Sequence, residues 1–289
     1  MRTTGIFTLH RYEIKVRKIN EPIYLIPFGD VHRDSPMCHV EKWKEFLGWA
    51  KDKKRCLFLG MGDYVDLAST SERELLHNKK LHESTLTTLD QIYKKHADKF
   101  VKEIDFMRGN LIGLIEGNHY ADLGNGTTTT QRMCDALNTK YLGVMSVIRL
   151  SFFYGKKRTS IDIVAHHGRG AGRMLGSSLN GVQKMAETVH GNIYLQGDDH
   201  RKLVGMTTKL EIESNNEGNI KLHHMKQIFL RTGSFLKGHE DGKASYIVDA
   251  NLNPTDLGVV KIELTPRRLC VKNAKERTDE FYIDIHASI

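Results

Sequence analysis

Apolar positions along this chain fall into two alternating rhythms. Short runs rich in β-branched and aromatic residues occupy Ile23 to Phe28, Cys56 to Leu59, Leu111 to Ile115, Ile161 to Ala165 and Ile193 to Leu195, and they predict strands. Between them the spacing changes to three and four. Leu86, Leu89, Ile92, Tyr93, Phe100 and Ile104 predict a helix over Glu83 to Met107, and Lys42 to Trp49 predicts another. Ser71, three residues before Glu74, reads as a capping box that opens a shorter helix. Strands alternating with helices imply an α/β sheet. After His200 strand signals dominate, at Leu203 to Met206, Lys221 to Leu230, Ala244 to Val248 and Val259 to Leu264, with Ser214 to Asn219 as a polar hairpin loop. These later strands are expected to build the second sheet of a sandwich. The organisation expected is one catalytic domain over 1–289, with a helical insertion at about 68–108 and a C-terminal β-rich extension at about 203–289.

Composition narrows the class without fixing it. A chain of 289 residues is long enough to bury a substantial core. A formal charge of +8 favours polyanionic partners, and it serves solubility equally well. Cys38, Cys56, Cys134 and Cys270 are scattered with no CxxC pair, which points to free thiols in a reducing cytosol rather than a zinc knuckle or redox motif. Met1 to Lys18 is broken by charged residues and does not read as a signal peptide, and no run approaches the length of a membrane span. A cytoplasmic protein without a membrane partner is expected.

The chemistry sits where the five apolar runs end. Gly29-Asp30-Val31-His32, Gly62-Asp63-Tyr64-Val65-Asp66, Gly117-Asn118-His119, His166-His167-Gly168 and Gly197-Asp198-Asp199-His200 each follow one run. Their side chains therefore belong at the carboxyl ends of strands, where open α/β sheets place their sites. Together they offer enough oxygen and imidazole donors for two metal ions. Any one of these segments is ordinary turn chemistry; five in this order are not.

The ordered set resembles the calcineurin-like metallophosphoesterase family, whose pattern is D-x-H, GD-x-x-D, GNH, His and GH-x-H. The resemblance implies a layered α/β/β/α sandwich with two central mixed sheets flanked by helices. It implies two divalent ions, with manganese ranked ahead of magnesium, iron and zinc, and it implies hydrolysis of a phosphoester by metal-activated water. Carried over position by position, Asp30 and His32 would hold the first metal, Asp63 would bridge both through its two oxygens, Asn118 and His166 would hold the second, and His200 would close the first shell. Neighbouring residues on an extended segment point to opposite faces, so one of His166 and His167 is expected to ligate; relatives with this pair use the first. His119 would protonate the leaving group. Asp66 and Asp199 read as hydrogen-bonded loop carboxylates.

Two positions depart from the pattern. Asp198 stands where the family has a histidine, which exchanges a borderline nitrogen for a hard oxygen and tilts that position toward Mn²⁺ or Mg²⁺. Tyr120 stands where an acid often orients the histidine, and Asp122 is a nearby substitute. Leu67-Ala68 follows Asp66 where the serine/threonine protein phosphatases continue with Arg-Gly, which leaves the diesterase and exonuclease branches as better neighbours. Arg169 and Arg173, in the glycine-rich stretch after the histidine pair, are candidates to grip a substrate phosphate. Basic clusters at Lys51 to Arg55, Lys156 to Arg158 and Arg201-Lys202 would favour a nucleic-acid backbone if they shared the cleft face. The leading expectation is a phosphodiesterase or nuclease acting on DNA or RNA. A small-molecule or nucleotide phosphoesterase, including a phosphomonoesterase or cyclic nucleotide phosphodiesterase, and a degenerate member that binds nucleic acid or protein without turnover are the alternatives.

Overall fold

The structure, a computed structural model, describes residues 6–68, 70–78, 81–170, 172, 174–214, 220–249, 251–272 and 277–289. In chain order the elements begin β1 (Phe7–Lys15), β2 (Ile23–Phe28), α1 (Val40–Asp52), β3 (Cys56–Gly60), α2 (Thr70–Asn78) and α3 (Glu83–Ile104). A 3₁₀ turn at Asp105–Met107 leads to β4 (Leu111–Leu114), α4 (Thr129–Leu137), β5 (Lys140–Tyr141), β6 (Met145–Tyr154) and β7 (Lys157–His166). The chain continues through α5 (Leu175–Gln183), α6 (Met185–Thr188), β8 (Ile193–Gln196), β9 (Lys202–Ser214), β10 (Ile220–Thr232), α7 (Tyr246–Asp249), β11 (Lys261–Lys272) and β12 (Arg277–Ser288).

Two six-stranded sheets result, one in the order β1-β6-β7-β8-β10-β9 and the other β12-β11-β2-β3-β4-β5. Both are mixed: β2, β3, β4 and β5 run parallel with β11 antiparallel beside β2, while β7, β8 and β10 run parallel between antiparallel neighbours. Their inner faces meet in one apolar layer that includes Leu25, Leu59, Ile112, Ile148, Ile163, Leu195, Leu230 and Ile262. Outside the second sheet, Trp43 of α1 and Phe100 of α3 stack at 5.6 Å over Phe28 and Phe58. Outside the first sheet, Val182 of α5 and Met185 of α6 cover Val164, Tyr194 and Phe229. Helices thus flank two central mixed sheets, the layering expected from the resemblance.

The five apolar runs are all strands, and Glu83 to Met107 is α3 plus its terminal 3₁₀ turn. The side chain of Ser71 and residues 215–219 lie outside the described residues, although the strands flanking that loop pair as a hairpin. Two expectations are corrected. The strands after His200 do not form a sheet of their own: β9 and β10 extend the first sheet beside β8, and β11 and β12 extend the second beside β2. Ala244 to Val248 is not a strand either, because Ser245 Oγ accepts the Val248 backbone N–H at 3.2 Å and caps the short helix α7. Among the described residues no helix is long and apolar enough to cross a membrane.

Candidate metal centre

Each strand-end loop turns its acid or histidine back over the sheets, and the backbone records the cost. Asp30, His32, Asp63, Asp198 and His200 all have positive φ, between 45° and 67°. L-residues other than Asn, Asp and Gly avoid that region, and its concentration at one site marks a geometry held by its surroundings. The holding bonds are on view. Asp30 N–H donates to Gly62 O, and Val31 and His32 N–H both donate to Asp63 O, which locks the first two loops together. Asp63 Oδ1 accepts the backbone N–H groups of Asn118 and His119 at 2.7 and 3.0 Å, which fixes the third. Gly117 makes this approach feasible, since a Cβ there would collide with Asp63 Oδ1.

The side chains converge between the two sheets. Ligand atoms of Asp30, Asp63 and His167 lie within 4.8 Å of one another, as do those of Asp30, His32 and His200, and those of His32, Asp66 and His119. Asp30 belongs to the first two groups and His32 to the last two, so the three are contiguous. With Oδ1 committed to backbone, Asp63 turns Oδ2 alone toward His167 Nε2 at 3.2 Å and His32 Nε2 at 3.8 Å. Sharing through both oxygens, as expected from the resemblance, does not match this arrangement.

Asn118 and Asp198 are a positioned pair. Asn118 Nδ2 donates to Asp198 Oδ1 at 2.8 Å, while Gly170 N–H donates to Asp198 Oδ2. That leaves the Asn118 amide oxygen buried without a partner. Both ring nitrogens of His32 and Nε2 of His167 are also buried without a well-aligned hydrogen bond, although Asp63 Oδ2 lies within ion-pair distance of both rings. Buried polar atoms in folded proteins are nearly always satisfied, so unsatisfied donor atoms on residues that line one cluster of carboxylates fit a bound cation. The donors are carboxylate, imidazole and amide oxygen, a set suited to divalent transition ions.

The structure turns His167 rather than His166 into this cluster. Ile161, Ile163 and Ala165 face the inter-sheet core, and His167 continues their alternation past the end of β7. Its Nδ1 pairs with Met61 O at 2.7 Å, an outer contact that fixes the ring and frees Nε2. Burial opposes charge on His167, yet Asp63, with Asp30 and Asp198, outweighs it and pushes the imidazole up to about 10. His166 lines a second cavity, of about 540 Å³, with Arg73, Glu116, Tyr120 and Arg169, and Asn118 and His167 of the cluster line it as well. Arg169 lines that second cavity beside Asn118 and His167, and Arg173 lies outside the described residues.

His119 lines the main cleft, of about 800 Å³, with Asp63, Asp66, Asn118, Asp198 and His200. Its Nδ1 lies 2.5 Å from Asp66 Oδ1, so Asp66 is an acid beside this histidine. Burial lowers and Asp66 raises the affinity of His119 for its proton, with a net rise. Asp199 turns from the cluster toward Arg231, 3.3 Å away.

Three further residues support these loops. Arg231, fully buried, donates to Ser178 O and Gly197 O and so anchors the loop bearing Asp198 and His200. Ser234 Oγ and Phe235 N–H both donate to Asp30 O. Glu116, buried directly before Gly117, accepts from Thr128 Oγ1 and Tyr141 OH at 2.5 and 2.9 Å. Arg231 and Ser234 lie in the Arg231 to Phe235 stretch, whose sequence resembles the Gly-Ser segment that follows the last ligand motif in the calcineurin-like family, whereas the only signal for Glu116 was its position just past a strand end that carries a motif.

No family model matches the chain, and no curated protein matches it. Among solved structures, Vps29 of Chaetomium thermophilum is similar at 10% identity and a TM-score of 0.36, over 92% of this chain and 97% of that one. A likeness of that score supports no inference about this chain.

Proposed function

We propose that the chain is a metal-dependent phosphoester hydrolase acting on a phosphodiester small enough to enter the cleft. The carrying observation is the convergence of the His32 and His167 ring nitrogens, which make no hydrogen bond there, on the buried carboxylates Asp30 and Asp63. Asp30 and Asp63 would be shared between two ions, with His32 and His200 on one side and His167, Asn118 and Asp198 on the other. Divalent ions bound there would draw charge from a phosphoryl group and supply a water nucleophile near neutral pH. His119, held through Nδ1 by Asp66, keeps its other ring nitrogen to give a proton to the leaving oxygen. Manganese is the ion to test first.

A nuclease is the second reading, and charge placement weakens it. Lys51 to Arg55 precede the start of β3, and Lys156 to Arg158 precede or open β7, whereas the site lies at the carboxyl ends of both strands. Across the 10 residues of β7 that separation is about 30 Å. Of the basic clusters, the one at the cleft is Arg201, amid Asp66, Glu72, Asp198 and Asp199.

The test is turnover by the full chain with Mn²⁺, Mg²⁺ or Zn²⁺ on nitrophenyl phosphate, bis-nitrophenyl phosphate, cyclic nucleotides and labelled DNA and RNA. Metal-dependent hydrolysis that is fastest on a small diester is expected. Faster cleavage of nucleic acid would promote the second reading, and a metal-loaded chain inert toward every substrate would leave only a binding role.

A further inference from the structure

The far end of the first sheet carries a feature that no site chemistry uses. β9 is an edge strand of 13 residues, and no described strand pairs with its outer edge. Long unpaired edges are templates for another chain, and proteins that keep them single normally blunt them. This edge is instead backed by apolar surface. Met206 pairs with Ile228, a core residue, so even-numbered positions of both strands share the face that looks into the sandwich. Beyond the core that face continues with Leu210, Ile212, Ile220 and Leu222, and each of these, like Met206, is more than half exposed. Scattered exposed leucines need no explanation; five apolar residues on one face of one hairpin do.

We propose that a second copy of this chain occupies the edge, with the β9 strands antiparallel about a two-fold axis through Leu210. Charge selects this register. Lys209 then faces Glu211 of the second copy, and Glu211 faces its Lys209, so two opposite-charge pairs form on the outer face. On the apolar face Leu210 meets its own equivalent and Thr208 meets Ile212. Centring the axis on Glu211 would place like carboxylates together, a destabilising cross-strand pair. The pairing is isologous and closes as a dimer, so it consumes both edges without leading to fibres. Gly205, nearer the body, lies under Leu179 of α5, which confines pairing to the outer part of the strand. Glu211 already contacts His190 on the same chain, which holds the carboxylate at the edge.

Sedimentation of the purified full chain at micromolar concentration tests this directly. The wild type is expected at twice 33.0 kDa. Lys209→Glu and Glu211→Lys should each weaken the dimer roughly tenfold or more, because two attractive cross-strand pairs become repulsive. Mixing the two variants should restore a heterodimer, since the carboxylate introduced in one variant would then face the ammonium introduced in the other, and the second pair would be native. This recovery also certifies that each variant is folded. A wild type that stays at 33.0 kDa would overturn the proposal. So would single variants that dimerise as tightly as the wild type, or a mixture that does not recover.

Discussion

Two regions of the fold, the strand ends that carry the motifs and the outer β9–β10 hairpin, break the ordinary burial rule in opposite senses. At the carboxyl ends of β2, β3, β7 and β8, Asp30, His32, Asp63, His167 and His200 are buried, and several of their polar atoms lack a well-aligned hydrogen bond. At the other end of the first sheet, Met206, Leu210, Ile212, Ile220 and Leu222 lie open to solvent. One end buries what water would hold, and the other exposes what water rejects. Sequences that fold reliably are consistent across levels except where another requirement overrides stability. On the two proposals made above, the override at the first end is ligand chemistry, and at the second it is pairing with another chain. The backbone follows the same division, with five positive-φ ligand candidates clustered at one end and regular ladder geometry along the hairpin at the other.

The largest effect that would sharpen this contrast belongs to His119. Replacing it with alanine should lower turnover roughly 10²–10⁴-fold while metal content stays at the wild-type level, because the proton donor leaves and the other donors remain. Steady-state kinetics paired with elemental analysis separates the two, and undiminished turnover would remove His119 from the chemistry.

A smaller effect concerns Glu116, which is buried at the site end without facing the main cleft. Burial pushes its carboxyl from 4.5 up to about 7, against the hydrogen bonds from Thr128 and Tyr141. A carboxyl raised in the folded state contributes stability that is complete below its unfolded value and lost as pH climbs through the folded one. The wild type should therefore lose roughly 3 kcal/mol between about pH 5 and about pH 8 through this group, and Glu116→Gln should not. Urea midpoints at the two pH values measure the difference. Equal pH slopes for the two proteins would show that Glu116 is not held in this way.

Much of the site end was legible in the sequence, because every motif follows a strand and strand ends converge in α/β sheets. The choice between His166 and His167 was not, for a physical reason. Val164 is packed against α5 and α6 while Ile161, Ile163 and Ala165 face the core, so the last residues of β7 before the pair are apolar on both faces and the alternation set earlier by Arg158, Ser160 and Asp162 fades just where the choice falls. Arg231, on β10, anchors the loop after its neighbour β8, and Ser234, just past β10, reaches Asp30 at the end of a strand of the other sheet; these partners are far apart in the chain, and no local spacing announces them. The far end was harder still. Leu203 to Met206 read as a short strand, but β9 runs on to Ser214 because β10 supplies its ladder, while the solvent-facing apolar residues give no sign of which element they flank. A short apolar run such as Ala244 to Val248 is equally compatible with strand and helix until Ser245 caps it.

The most direct measurement is calorimetric titration of the metal-free chain with Mn²⁺, run on the wild type, Asp30→Asn, His167→Ala and His166→Ala. Two ions per wild-type chain are expected, with both weakened in Asp30→Asn because Asp30 belongs to two donor groups. One ion should be lost in His167→Ala, and binding by His166→Ala should match the wild type. No binding by the wild type, or loss with His166→Ala but not with His167→Ala, would contradict a metal centre built from these strand ends.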